Sequence, residues 1–211
     1  MDTVLFDMFG VIARQQSPDS QAHLATVADN ATPAFWEAYW QLRPPYDRGD
    51  VNGPQYWRTV AQRLGTTFGA AQITELIEAD LASWSAVDAS MVDLIGELVS
   101  AGRDIALLSN IPEELAAYYE ERHAWLRDFS ALGFSCRIGH AKPEAGAFEW
   151  CCRTLGREPG QFLFVDDRAD NIAAAKALGM RGHLFTTPAD LRNALTLPPA
   201  ARHHHEETHG E

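Results

Sequence analysis

The amino-acid sequence predicts an α/β protein, built on a doubly wound, parallel, Rossmann-like sheet into which a helical subdomain is inserted. Three observations indicate this class: short apolar runs recur along the chain, helical patterns lie between them, and one long interval contains helical patterns alone. The chain has 211 residues, of which 46% are hydrophobic, so it can bury a core of this size.

The apolar runs predict strands that are buried on both faces, as the strands of a parallel sheet are. Four such runs, and a weaker fifth at 134–138, are found along the chain. The four clear runs are 3–6, 105–108, 162–165 and 183–185.

Helical periodicity predicts the crossovers between these strands. The predicted helices of the core are 88–101, 112–122, 144–155, 170–178 and 188–195. Glycines at 102, 156 and 179 stand where helix C-caps are expected. The alternation of strands and helices implies right-handed crossovers and a doubly wound sheet.

The interval between the first two strands is far longer than one crossover requires and predicts an inserted helical subdomain. Its expected helices are 20–29, 32–42, 53–64 and 70–83, and residues 43–50 are expected to separate the second from the third. The predicted division of the chain is 1–14 with 88–197 as the α/β core, 15–87 as the insert, and 198–211 as a disordered tail.

The charge balance restricts the partners of the chain. Lys and Arg number 17 against 29 Asp and Glu, a formal charge of −12, so we expect no binding to nucleic acid or to acidic membrane surfaces. No apolar segment is long enough to span a membrane. The three cysteines, Cys136, Cys151 and Cys152, lack metal-ligand spacing, which favours a reduced, cytoplasmic setting.

Polar residues follow the predicted strands, and ligands of open parallel sheets bind at the carboxyl ends of the strands. The residues at these positions are Asp7, Ser109, Asn110, Asp166 and Asp167, while Lys142 precedes the helix 144–155. If Asp7 and the Asp166–Asp167 pair meet beside Lys142, the cluster carries a net charge of −2. Such a cluster requires a cation before it admits a phosphate dianion, and magnesium is the hard cation that suits carboxylates.

This series resembles the haloacid dehalogenase-like hydrolase superfamily over residues 3 to about 186. Asp7 falls at the nucleophile of that superfamily, Ser109 at its second motif, Lys142 at its third, and Asp166–Asp167 with Asn171 at its fourth. The segments Tyr46–Gly49, Leu108–Asn110, Lys142–Glu144 and Phe164–Ile172 are most similar to a capped subgroup, which includes sugar-phosphate phosphatases and the phosphatase domain of epoxide hydrolases. The insert then corresponds to the cap.

The resemblance implies a magnesium-dependent phosphatase of a small, anionic phosphorylated metabolite of the sugar-phosphate type, active as a monomer or homodimer. Asp7 attacks phosphorus and forms an aspartyl-phosphate, Lys142 steadies the phosphoryl oxygens, and Ser109 and Asn110 hydrogen-bond them. The implied magnesium ligands are Asp7, the backbone carbonyl of Phe9, and Asp167, with Asp166 and Asn171 in support. In the cap, Tyr46 and Arg48 are predicted to face the substrate.

Phe9 departs from the family pattern, because most of its phosphatases have an Asp two residues after the nucleophile. A phenylalanine cannot protonate the leaving alkoxide or activate water. The Phe9–Gly10 pair is similar to the metal-free 2-haloacid dehalogenases, which supply an alternative: displacement of a halide by Asp7. A second alternative is a catalytically weak module that binds a phosphate ligand. Retention of the acidic pair and of Lys142 favours the phosphatase.

Overall fold

Five parallel strands form the central sheet of the computed structural model, which describes residues 2–196. Their order across the sheet is β3-β2-β1-β4-β5. The strands are β1 (Thr3–Phe6), β2 (Ile105–Ser109), β3 (Leu132–Phe134), β4 (Phe162–Asp166) and β5 (Arg181–Leu184). The order reverses beside β1, so the predicted doubly wound parallel sheet is confirmed.

Six helices cover the two faces and the ends of the sheet. They are α6 (Ala89–Ser100), α7 (Glu113–Arg122), α8 (Ser135–Ile138), α9 (Ala145–Leu155), α10 (Ala169–Ala177) and α11 (Pro188–Ala194). Alternate strand residues point to opposite faces, so each face has its own apolar core. Val4 and Phe6 pack with residues of α6 and α7, whereas Leu5 packs with residues of α9 and α10.

Five more helices lie between β1 and β2 and form the helical insert. They are α1 (Pro18–Val27), α2 (Pro33–Gln41), α3 (Arg43–Asp47), α4 (Gly53–Arg63) and α5 (Ala70–Ser83). The insert packs around a separate apolar cluster, in which Phe35 and Trp57 are fully buried with their rings stacked at 6.4 Å. Its aromatic residues therefore mainly satisfy packing.

Two local predictions were wrong. The segment 134–138 was expected to be a strand, but β3 ends at Phe134 and α8 begins at Ser135. The Ser135 hydroxyl donates to the carbonyl of Asp47 in the insert, a long-range contact that the local sequence does not reveal. The expected separator 43–50 contains α3, whose first turn accommodates proline because its N–H groups need no helical partner.

The predicted tail, 198–211, lies outside the described residues. Among the residues that the structure describes, no helix has both the length and the apolar character needed to cross a bilayer.

Candidate active site

Three neighbouring strands carry polar residues to one edge of the sheet. Asp7 directly follows β1, and Ser109 and Asp166 are the last residues of β2 and β4, the two strands that flank β1. All three are buried, with exposures of 6% or less. Parallel pairing of these strands thus brings together residues that are far apart in sequence, as the sequence predicted.

Lys142, in the segment between α8 and α9, lies between two of these carboxylates. Its Nζ is 2.6 Å from Oδ1 of Asp7 and 2.8 Å from Oδ2 of Asp166. Burial by itself lowers the pKa of Lys142, but the charges of the two aspartates outweigh this effect and raise it. The ammonium group therefore stays charged at neutral pH.

Asn110 holds the main chain of Lys142 in place. Its Oδ1 accepts from the Lys142 backbone N–H and its Nδ2 donates to the Lys142 carbonyl, both at 2.8 Å. Asn110 was predicted to bind substrate. It does line the cavity at the site, but its amide group is engaged with Lys142, so its contact in the structure is a positioning one.

Asp167 completes a group of three carboxylates. One oxygen each from Asp7, Asp166 and Asp167 lie within 4.8 Å of one another. Oδ1 of Asp167 is buried without a hydrogen-bond partner among the described residues, and Oδ2 accepts from Nε2 of Gln15 at 3.3 Å. No pattern in the sequence indicated Gln15 as a neighbour of this cluster.

Gly10 permits the approach of Asp167 to this cluster. A Cβ atom at position 10 would lie 2.1 Å from Oδ2 of Asp167, and the φ angle of Gly10 is +87°. Both facts require glycine, because a side chain would collide with the carboxylate and L residues rarely adopt this φ.

Asp166 differs from the other two carboxylates because its oxygens are already occupied. Oδ1 accepts from the backbone N–H of Arg168, Oδ2 accepts from Lys142, and Nδ2 of Asn171 lies within 3.1 Å of both oxygens. Asp166 and Asn171 therefore support the cluster, while the open oxygens belong to Asp7 and Asp167.

The electrostatics of the cluster are unfavourable without a cation. Burial raises the pKa of Asp7 to about 7 in spite of Lys142, and the charge of Asp166 adds to that rise. Burial and the charge of Asp166 also raise the pKa of Asp167. Close carboxylate oxygens, one of them buried and unpartnered, are the donors that Mg²⁺ prefers, so the residues present fit this ion.

Ser109 has no partner within the described part of the chain. Its hydroxyl oxygen is buried at the end of β2 and makes no hydrogen bond there. A buried hydroxyl without a partner is costly, and a ligand oxygen that bonds it removes that cost.

Comparison with known proteins agrees with this geometry. A model of the haloacid dehalogenase-like hydrolase family matches residues 1–179. The chain belongs to this family.

Two relatives of this hydrolase are named as phosphatases. A sesquiterpene phosphatase of Aspergillus oryzae is 24% identical over 179 residues, covering 84% of this chain and 86% of the relative. A phosphoglycolate phosphatase of Chromobacterium violaceum is 29% identical over 99 residues, covering 47% of this chain and 45% of the relative.

The fold is shared with a haloacid dehalogenase family enzyme from Bacteroides thetaiotaomicron. Its crystal structure matches with a TM-score of 0.76 at 18% identity, covering 92% of this chain and 98% of that one. A second structure of that enzyme, in complex with magnesium and inorganic phosphate, matches with a TM-score of 0.72 at 18% identity over 88% and 94% of the two chains.

A cavity of about 680 Å³ lies between the strand ends of this hydrolase and its helical insert. Phe9 lines it with a half-buried ring, which meets Trp84 and Tyr119 edge to face at 5.1 and 5.9 Å. The insert contributes Trp40 and Arg43 to the lining, two residues whose place in the cavity the sequence did not predict.

Two residues of the insert, Tyr46 and Arg48, were predicted to face the substrate, and the structure places them differently. Arg48 lines the cavity and bonds Glu144 of the core at 3.1 Å. Tyr46 is buried with its ring stacked on Tyr56 at 4.6 Å, so the prediction that it faces the substrate was wrong. Packing on Tyr56 inside the insert satisfies this aromatic ring, and Tyr46 is not among the described residues that line the cavity.

Proposed function

We propose that this hydrolase is a magnesium-dependent phosphatase, which cleaves a small, anionic phosphate monoester through an aspartyl-phosphate on Asp7. The observation that supports this proposal most strongly is the cluster of Asp7, Asp166 and Asp167 around Lys142. Three carboxylates and one ammonium group sum to −2 when all are ionised, and the cavity that they line must also admit a phosphate dianion.

Asp7 is held in the position of a nucleophile. Its Oδ1 accepts from the backbone N–H of Met8 and lies against Lys142, both at 2.6 Å, while Oδ2 accepts no hydrogen bond from the described residues. In the first step one carboxylate oxygen of Asp7 forms a bond to phosphorus and the bond from phosphorus to the ester oxygen breaks. In the second, water attacks phosphorus, the bond to Asp7 breaks, and inorganic phosphate leaves.

The other residues hold the phosphoryl group. Lys142 neutralises charge on Asp7 and on the oxygens in transfer, and the unpartnered hydroxyl of Ser109 donates to one of those oxygens. Asp7, Asp167 and the backbone carbonyl of Phe9 would hold magnesium, with Asp166 in support. When bound, the ion supplies charge stabilisation to the phosphoryl oxygens.

Phe9 decides how the leaving group is protonated. Its side chain has no proton to give, so the departing oxygen takes its proton from water. Phosphates whose leaving oxygen is weakly basic, such as aryl, acyl or anomeric sugar phosphates, are therefore the favoured substrates.

The experiment measures phosphate release from p-nitrophenyl phosphate with magnesium and with EDTA, beside chloride release from 2-chloropropionate. We expect magnesium-dependent turnover that Asp7→Asn and Asp167→Ala abolish. Asp19→Asn, in an exposed first turn of α1, serves as the matched control. Full activity in EDTA would contradict the proposal, chloride release would favour the dehalogenase, and phosphate binding without turnover would favour the weak binding module.

A further inference from the structure

Beyond the carboxylate cluster, one side of the cavity is a continuous aromatic wall formed by Phe9, Trp84 and Trp40. Phe9 meets Trp84 edge to face at 5.1 Å, and Trp84 meets Trp40 edge to face at 6.0 Å. All three line the cavity. The aromatic wall therefore begins two residues after the nucleophile and ends on helix α2 of the insert.

Trp40 is the unusual member of the aromatic wall. This residue is 48% exposed, and among the described residues the only other large apolar residue with comparable exposure is Leu184. The neighbouring Tyr39 is fully buried in the core of the insert. An indole left open towards a cavity gains free energy when an apolar ligand covers it.

The cationic side chains that the insert adds to the cavity are already neutralised. Arg43 pairs with Asp47 at 2.7 Å and with Asp80 at 2.9 Å. Arg48 pairs with Asp50 at 2.6 Å and with Glu144 at 3.1 Å. A second anionic group on the substrate, such as a carboxylate or another phosphate, would have to displace one of these carboxylates.

Three uncharged polar side chains of the cavity lining are also engaged in hydrogen bonds. Gln15 donates to Asp167, Asn110 bonds the main chain of Lys142, and the indole N–H of Trp84 donates to the hydroxyl of Tyr39 at 3.0 Å. The hydroxyl groups of a sugar would compete with these bonds, and a sugar that left them unmatched would bind poorly.

We propose that the organic group of the substrate is uncharged and apolar, an aromatic unit seated on the aromatic wall. The inference rests on the proposed phosphatase function and selects a substrate class within it. The sugar-phosphate type implied by the sequence resemblance is then disfavoured, because its polar groups face occupied partners and aromatic faces. The cavity, at about 680 Å³, has the size of a site for a small molecule.

The test compares three aryl phosphates whose phenols have similar acidity: phenyl, 2-naphthyl and 4-carboxyphenyl phosphate, with magnesium. We expect kcat/KM for the naphthyl ester to exceed that for the phenyl ester by about tenfold, through KM, because one more apolar unit is covered. The carboxyphenyl ester should be the poorest of the three. Glucose 1-phosphate tests the sugar class directly and should also fall below the naphthyl ester.

Trp40→Ala should bring the ratio of naphthyl to phenyl kcat/KM close to one. The matched control is Trp36→Ala on the same helix, because Trp36 packs on Tyr39 at 5.4 Å outside the cavity and its loss should leave the ratio intact. Inhibition of the unmodified enzyme by 2-naphthyl and phenyl phosphonate gives the same comparison without any variant, in case Trp40→Ala does not fold.

Equal rates for the naphthyl and phenyl esters, or a preference for the carboxyphenyl ester or glucose 1-phosphate, would overturn the inference while the phosphatase function stands. Absence of magnesium-dependent hydrolysis for every ester would instead refute the phosphatase function itself, and this inference with it.

Discussion

Replacing Phe9 by aspartate tests the account of proton transfer most directly. The variant Phe9→Asp places a carboxyl group two residues after the nucleophile, where it can protonate a departing oxygen. Positioned acid–base catalysis is worth roughly 10²- to 10⁴-fold. We expect the low end, about 10²-fold, for alkyl phosphates, and little change for aryl phosphates, whose leaving oxygens need no proton.

The same substitution removes packing contacts, and the structure indicates how much stability is lost with them. Phe9 makes two edge-to-face contacts, with Trp84 and Tyr119. At about 0.5–1.5 kcal/mol for each aromatic pair, their loss lowers the free energy of unfolding by roughly 1–3 kcal/mol. The new carboxylate also brings the charge of the ionised cluster from −2 to −3, so the variant should depend more strongly on magnesium for its stability.

Phe9→Asn is the matched control, because it loses the same contacts and has nearly the shape of aspartate but supplies no proton. The assay is kcat/KM against the pKa of the leaving alcohol for a series of aryl and alkyl phosphates, with a thermal melt of each variant. Phe9→Asp should flatten the slope and Phe9→Asn should not. A folded Phe9→Asp with an unchanged slope, or equal gains in both variants, would refute the reasoning.

Three further predictions concern the residues around the cluster. Asn110→Ala should lower kcat by about 10- to 100-fold with a smaller change in KM, since Lys142 loses both main-chain hydrogen bonds; wild-type kcat would disprove the positioning role. Gly10→Ala should weaken magnesium binding by about 10- to 100-fold in a calorimetric titration, because its Cβ displaces Asp167, and an unchanged affinity would contradict the geometry. The folded-state pKa of Asp7, about 7, lies above its ordinary value of 3.8, so the contribution of protonated Asp7 to the stability of metal-free protein should be present in full below about pH 4 and be lost as pH rises through 7. Melts in EDTA at several pH values should show the loss in wild type relative to Asp7→Asn; parallel curves would count against it.

The sequence alone predicted the sheet and the residues that form the carboxylate cluster. Buried parallel strands consist of apolar residues on both faces, and this local signal marked β1, β2 and β4 with little ambiguity. Because parallel strands end at a common edge, the positions of Asp7, Ser109 and Asp166 in sequence were enough to predict that they meet. The charge sum that favours magnesium followed from the same residues.

Only the tertiary structure distinguished the residues that line the cavity from those that fill the insert. Tyr46 and Trp40 lie in the same aromatic segment, and no periodicity indicates that Tyr46 stacks on Tyr56 while Trp40 faces the cavity. Their directions depend on how α2 and α3 pack against the rest of the insert and on the contact between Asp47 and Ser135. Such contacts join residues that are distant in sequence, so local patterns do not contain them.

The roles within the acidic pair were decided in the same way. Asp166 and Asp167 are adjacent and chemically identical, but Asp166 is the last residue of β4, whereas Asp167 lies just beyond the strand, where the backbone bends. Asp166 therefore meets Lys142 and Asn171, while Asp167 faces Gly10 and Gln15 with one oxygen unpartnered. The sequence determined which chemical groups gather at the sheet edge, and the packing of the chain determined which of their atoms remain open to a ligand.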